Sequence, residues 1–405
     1  MGTPTRTLPP DLHRLLRRAV AEIIVEEELI KLLESGETLR LKLGFDPSRP
    51  DLHLGHAVVL RKLRQFQDLG HLAILIVGDW TAQIGDPSGQ SVTRPMLSAE
   101  EVKANAQTYL RQFYKIVDPA RTQVVWQSTW YDHFTLKDVI NLTSKFTVAR
   151  LLAREDFARR LAEHRPITLA ELLYPLLQAY DSVAVRSDVE FGGTDQKFNI
   201  LVGRELQAML GMRPQQAFLT PILRGTDGVQ KMSKSLNNYI AFEDPPDEMF
   251  GKIMSIPDNL IVEYFELLTD VPDEELAVIR EQVETKSVNP MLLKKRLGIE
   301  IVKQFHGEAA ALAAAENFER VHQRRELPEV VPEVRLGPEW FGVPVWPADL
   351  LYAADLVPTK KEAKRLLAQG GVRVDGRQVP DEPLTVEPGA VVQIGRRKFA
   401  RLVQG

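Results

Sequence analysis

The sequence predicts a parallel α/β sheet followed by a helical region and a small α+β module, on three observations. Short apolar runs alternate with amphipathic stretches up to about residue 225, Asp244 to about Arg325 keeps helical spacing without strand alternation, and the end of the chain shows one basic helix among short strands. Alternating strands and helices imply parallel neighbours joined by right-handed crossovers. At 405 residues, 44% hydrophobic and 26% charged, the chain can hold two or three domains with real cores.

The elements follow in order. Residues 11 to 34 place Leu15, Leu16, Val20, Ile23 and Ile24 at helical spacing, which predicts one amphipathic helix covering the first strand. In LRLKLGFDPSRPDLHLGH (39–56) the period-2 pattern of Leu39, Leu41, Leu43 and Phe45 breaks at Asp46-Pro47, so a strand, a turn and a helix start are expected. LAILIVGD (72–79) reads as a strand buried on both faces, Ser98 to Tyr114 as a helix, and TQVVWQS (122–128) as a third strand. Residues 138 to 182 read mostly as helix. SDVEFGGTDQKFNILVGRELQAML then gives a strand, a Gly-Gly turn and a helix, and QAFLTPIL (216–223) one more strand. The proline-rich stretch 326–347 has no sustained period and is expected to be a linker.

Composition narrows the function. No apolar run approaches the ~20 residues that cross a bilayer, and the N-terminus has no apolar leader segment, so a soluble, cytoplasmic protein is expected. The absence of cysteine excludes disulfides, thiolate metal sites and a cysteine nucleophile. With eight scattered histidines no structural metal is expected, and any metal would arrive with a substrate. The net charge of −4 conceals an asymmetry, because residues 346–405 carry ten Lys/Arg against seven Asp/Glu. An acidic body with a basic tail suits a polyanionic partner, although scatter alone could produce it.

Two motifs carry chemistry. His53-Leu54-Gly55-His56 falls at a helix start after a strand, where unpaired N–H groups and partial positive charge suit a phosphate chain. Alone it could be a packing glycine between surface histidines. Lys231-Met232-Ser233-Lys234-Ser235 sets two lysines three apart in a loop. Alone that is an ordinary solvated turn, but together with the upstream motif it suits charge developing on a leaving pyrophosphate. Tyr174, Gln178 and Asp181 lie at i, i+4 and i+7, which places them on one helix face, directed either at a ligand or at solvent.

The paired motifs, with GDPSG (85–89), YPLLQAYD (174–181) and GGTDQ (192–196), resemble the bacterial tyrosyl-tRNA synthetases of class I. The resemblance covers nearly the whole chain. It implies a Rossmann-type catalytic domain over 1–225 with an inserted helical dimer-interface region at about 130–165, and a KMSKS loop with a helical anticodon-binding domain over 226–325. A linker at 326–345 and a small RNA-binding domain of the ribosomal small-subunit-protein type at 346–405 complete it. The implied substrates are L-tyrosine, ATP with Mg²⁺ and tRNA(Tyr), and the implied assembly is a homodimer. His53, His56, Lys231 and Lys234, helped by Ser48, would hold the polyphosphate in the transition state. Gly44, Asp46, Gly55, Asp195, Met232 and Ser233 would join the lysines around ATP. Asp86, Tyr174, Gln178 and Gln196 would bind tyrosine, with Asp181 receiving the phenol hydroxyl. In the tail, Lys360, Lys361, Lys364, Arg365, Arg396, Arg397 and Lys398 would contact tRNA.

Two positions depart from the family pattern. Lys42 stands where many members have tyrosine, so it either pairs with Asp181 or turns away. Gln90 stands where the family has a mobile lysine, while Arg94 is retained. The tryptophanyl enzymes share both motifs, but a carboxylate at Asp181 argues against an indole pocket.

Overall fold

The structure, a computed structural model, describes residues 10–47, 51–87, 98–320, 331–395 and 398–405. Ser48, Gln90, Arg94, Arg396 and Arg397 lie outside the described residues. The chain divides into two units, Met1–Ala311 and Leu312–Gly405.

The first unit is built on a six-stranded sheet: β1 (Glu22–Ile24), β2 (Arg40–Phe45), β3 (Leu72–Val77), β4 (Thr122–Trp126), β5 (Val189–Gly193) and β6 (Gln216–Thr220), in the order β1-β6-β5-β2-β3-β4. All neighbours are parallel except β1, which runs antiparallel to β6. Ala73 to Val77 are fully buried, as their unbroken apolar run requires of a strand covered on both faces. From β2 the chain steps outward to β3 and β4, whereas β5 and β6 build the opposite side. The carboxyl ends of β2 and β5 therefore flank a topological switch point, where ligands bind in such sheets.

The expected single helix over 11–34 is corrected to three elements: a helix Pro10–Arg17, strand β1, and a helix Glu26–Glu34. Two tertiary contacts override the helical spacing. Arg18 donates to the carbonyls of Phe265, Glu266 and Thr269 at 3.0–3.1 Å, satisfying the end of the helix Ile261–Leu268. Glu22 to Ile24 then pair with Leu219 to Ala217 and cover the edge of β6. Beyond the sheet, the helices Pro246–Met254, Ile261–Leu268, Asp273–Thr285 and Pro290–His306 follow the expected helical pattern, and no strand falls among the described residues from 245 to 320.

In the second unit β9 (Val372–Val374), β10 (Arg377–Gln378), β12 (Val391–Ile394) and β13 (Lys398–Gln404) join β7 (Glu333–Leu336) in the order β10-β9-β12-β13-β7, and β8 (Pro344–Val345) pairs with β11 (Leu384–Thr385). Helices Pro347–Ala353 and Lys360–Ala368 contribute Leu350, Leu351, Ala363 and Leu367 to its core. The expected linker is corrected here: residues 331–345 are part of this unit, and only 326–330 lie outside the described residues. β7 pairs in parallel with Arg401 to Gln404 at the sheet edge, a position that tolerates Pro332 and Pro338 on either side.

Candidate active site

Both sequence motifs meet at the carboxyl edge of β2 and β5. His53 is the N-cap of the helix Leu54–Asp68. Its N–H donates to His56 Nδ1 at 3.2 Å, which leaves the proton of the His56 ring on Nε2. The two rings lie 4.0 Å apart between centroids. Gly55 has a steric reason as well as an electrostatic one, since a Cβ there would sit 2.9 Å from His53 Nδ1. Burial, the neighbouring imidazole and the two loop lysines lower His53 well below its ordinary range. Burial, with Lys234 and Lys231 adding to it, lowers His56 to about 4. Both rings are therefore neutral hydrogen-bonding groups near pH 7, and the cationic charge at this edge belongs to the lysines.

Residues 52–54 run beside 240–242, with Leu54 N donating to Ile240 O and Phe242 N to Leu52 O, each at 3.0 Å. This pairing seats the lysine loop against the helix start. Met232 is buried, its Cβ 3.7 Å from the position a Gly55 side chain would take. Lys231 Nζ donates to Asp195 Oδ2 at 3.2 Å, and Lys234 Nζ lies 3.9 Å from Asp51 Oδ2. Asn238, unremarkable in the sequence, shapes the loop: its Oδ1 accepts from Ser233 N at 2.8 Å, while Nδ2 donates to Asp227 Oδ2 at 2.7 Å and Lys231 O at 3.1 Å. Next to this edge, Gly44 is exposed, and a Cβ there would meet nothing within 4 Å.

The helix Leu169–Ala184 buries the face that carries Tyr174 and Asp181, which decides between ligand and solvent in favour of the interior. Tyr174 Oη donates to Asp46 Oδ2 at 2.8 Å, and Thr81 Oγ1 donates to Asp46 Oδ1 at 2.7 Å. Asp46 thus joins the expected nucleotide and amino-acid sides of the cleft. Asp181 Oδ2 accepts from Gln127 Nε2 at 2.7 Å, and Oδ1 lies 3.4 Å from Tyr131 Oη. Burial outweighs the nearby Lys42 and the Gln127 bond and pushes the Asp181 carboxyl up to about 7.

A second group of side chains is knit by Asn199. Its Nδ2 donates to Gln178 Oε1 at 3.0 Å and Gln196 Oε1 at 3.2 Å, and its Oδ1 accepts from Arg154 Nη1 at 3.0 Å. Gln196 Nε2 donates to Asp86 Oδ2 at 2.7 Å, and Arg154 Nη2 lies 3.5 Å from Asp86 Oδ1. Asp86, Gln178 and Gln196 are thereby brought together, with Tyr174 on the same helix as Gln178. Sequence reasoning missed Gln127, Thr81, Asn199, Arg154 and Asn238. Of these only Gln127 carried a signal, its place directly after a strand at the carboxyl edge.

Of the two courses open to it, Lys42 turns away from Asp181 to other partners. It is fully buried, and among the described residues its ammonium binds Ser182 Oγ at 2.7 Å, Gln178 O at 2.8 Å and Glu190 Oε1 at 2.9 Å. The parallel register of β2 and β5 makes Lys42 and Glu190 direct neighbours. In the second unit, Lys360, Lys361, Lys364 and Arg365 are exposed on one helix, with Lys360 2.9 Å from Asp349 and Arg365 bonded to Glu362. Lys398 donates to Leu356 O at 2.6 Å, on the approach to that helix.

Comparison with known proteins accords with this geometry. Residues 34–323 match the family model of class I tRNA synthetases (W and Y), and residues 348–392 match the S4 domain. The chain belongs to the class I tRNA synthetases of the tryptophan and tyrosine type. It is 60% identical over 392 residues to a tyrosine–tRNA ligase of Dehalococcoides mccartyi, covering 97% of this chain and 98% of that one. A tyrosine–tRNA ligase of Thermotoga maritima is 53% identical over 399 residues, 98% of each chain. Within the family, then, the chain stands among the bacterial tyrosyl-tRNA synthetases. Among solved structures, the tyrosyl-tRNA synthetase of Archaeoglobus fulgidus complexed with L-tyrosine shares the fold at a TM-score of 0.59 and 24% identity, covering 75% of this chain and 98% of that one. A C-terminally truncated mitochondrial tyrosyl-tRNA synthetase of Aspergillus nidulans gives a TM-score of 0.63 at 21% identity, covering 78% and 93%.

Proposed function

We propose that the chain activates L-tyrosine with ATP, releasing pyrophosphate, and transfers the tyrosyl group to the 3′ end of tRNA(Tyr). The observation that carries this reading is the contact between the His53–His56 helix start and the Lys231–Lys234 loop, beside a helix whose buried face presents Tyr174 and Asp181. Tyrosine lies with its phenol hydroxyl on Asp181 and its ammonium among Asp86, Tyr174, Gln178 and Gln196. ATP, as its Mg²⁺ complex, lies over Gly44 and Gly55 with its ribose on Asp195, and Asp46 stands between the two substrates. The tyrosine carboxylate attacks the α-phosphate, the bond to the β-phosphate breaks, and negative charge moves onto pyrophosphate. His53 and His56 meet that charge as neutral donors, and Lys231 and Lys234 as cations drawn from Asp195 and Asp51, with Ser48 assisting. Proximity and charge stabilisation supply the rate, without a covalent enzyme intermediate.

The exposed Lys360, Lys361, Lys364 and Arg365, with Lys398, Arg396 and Arg397, follow tRNA phosphates. Leu136, Ile140, Val148 and Leu161 are more than half exposed, an apolar surface that suits a homodimer interface. Among the described residues no helix is long and apolar enough to cross a membrane. A substrate set of tyrosine, ATP and tRNA(Tyr) suits work in the cytoplasm. The test is exchange of pyrophosphate into ATP with tyrosine, phenylalanine or tryptophan. Tyrosine supports exchange and the other two do so far more weakly, because a ligand without the hydroxyl leaves Asp181 underbonded. A folded sample without tyrosine-dependent exchange overturns the reading.

A further inference from the structure

Beneath the tyrosine side of the cleft lies a buried ion pair that the mechanism above does not use. Lys42 and Glu190 are adjacent on parallel strands, 0% and 1% exposed. Each reaches the same residue above them. Lys42 Nζ holds the Gln178 carbonyl at 2.8 Å, and Glu190 Oε1 accepts from Gln178 Nε2 at 3.1 Å. Around them Ser182 Oγ donates to Glu190 Oε2 at 3.0 Å, and Gln215 Nε2 bonds the same oxygen. With Asn199 on its Oε1, Gln178 is fixed at its main chain and at both ends of its amide.

A buried ion pair is poor evidence for stability, because desolvation offsets its attraction and an apolar pair of similar volume is often as stable. Its value is therefore sought in what it orients. The Gln178 amide has one rotamer that serves both Glu190 and Asn199, and that rotamer sets which of its atoms can face a ligand ammonium. We propose that Lys42 and Glu190 are positioning residues for tyrosine, holding Gln178 and its helix turn in the geometry that receives the ammonium. They touch no substrate themselves. The proposal rests on the tyrosine-binding role given to Gln178 above.

The test uses full-length double variants, since a single substitution would strand one buried charge. In Lys42→Met with Glu190→Leu both charges and the acceptor for Gln178 are gone. Its KM for tyrosine in the exchange assay should rise about tenfold, as loss of one good polar contact predicts, while KM for ATP is unchanged. In Lys42→Met with Glu190→Gln an acceptor for Gln178 Nε2 remains, and tyrosine KM should return to within about threefold of the parent. A purely structural pair would lower thermal stability without separating the two KM values. The proposal is overturned by an unchanged tyrosine KM in the first variant, by equal rises for tyrosine and ATP, by no recovery in the second, or by failure of both to fold. Absence of exchange in the unaltered protein would instead remove the functional reading itself.

Discussion

At the scale of single residues, Asp181 couples recognition to proton binding. Its carboxyl, ordinarily near 3.8, is raised to about 7 by burial, against the pull of Lys42 on β2 and the bond from Gln127 and with the push of Glu190 on β5. Between those two values the folded protein keeps a proton that the unfolded chain has lost, so the ligand-free enzyme loses stability as pH rises through this window and levels off above it. Asp181→Asn removes the cost. The variant should melt several degrees above the parent at pH 8, and the two melting curves should converge below about pH 4. Its tyrosine KM should nonetheless rise ~100-fold, since an amide is a weaker acceptor than a carboxylate for the phenol hydroxyl. Melting scans across pH alongside exchange kinetics check both halves. A destabilised Asn variant at pH 8 would mean that Asp181 is held as a well-compensated anion.

At the scale of elements, the sequence was legible where local pattern and tertiary demand agree. The unbroken run of β3 and the alternation of β2 could only be strands of a covered sheet, and both histidines fell at the expected helix start. It was illegible where pairing decided against local pattern. Ile23 and Ile24 sit at helical spacing but are claimed by the edge of β6, and β7 hides among prolines because its partner arrives some seventy residues later. The site divides in the same way. The charged residues of the two motifs stood out, whereas Arg154 and amides such as Asn199 and Asn238 act through contacts that no spacing encodes. Lys42 and Glu190 were a readable case left unread, being opposite charges on strands that should be buried on both faces. The lysine loop illustrates the cost of missing an amide, because its shape depends on Asn238, which is 3% exposed. Asn238→Ala should lower exchange kcat at least tenfold by releasing Ser233 and Lys231, with tyrosine KM unchanged. Stopped-flow adenylate formation separates these quantities, and a shifted tyrosine KM would contradict a role confined to the loop.

At the scale of the whole molecule, the division of labour between the two units can be tested by where the chain is cut. β7 pairs residue for residue with Arg401 to Gln404, Arg401 N donates to Pro332 O at 2.8 Å, and Gly405 N to Leu336 O at 2.9 Å. A protein ended after residue 345 therefore keeps β7 but loses the strand that completes it, and leaves Val331 and Leu336, both buried in the intact chain, to solvent. An unpaired strand edge with apolar residues promotes association. A protein ended after residue 330 removes every strand of the second unit, β7 included. Both truncated chains keep the first unit and its sheet, so tyrosine-dependent exchange should stay within about twofold of the full chain. Both lose the basic helix and Lys398, so tRNA charging should fall at least tenfold, most steeply at higher salt, where the remaining phosphate contacts are weakest. The two cuts should differ in handling, with the longer protein more prone to aggregate and more readily trimmed by protease back towards residue 330. Equal charging by either truncated protein and the full chain would deny the second unit an RNA role, and equal behaviour of the two truncated proteins would remove β7 from the folding unit.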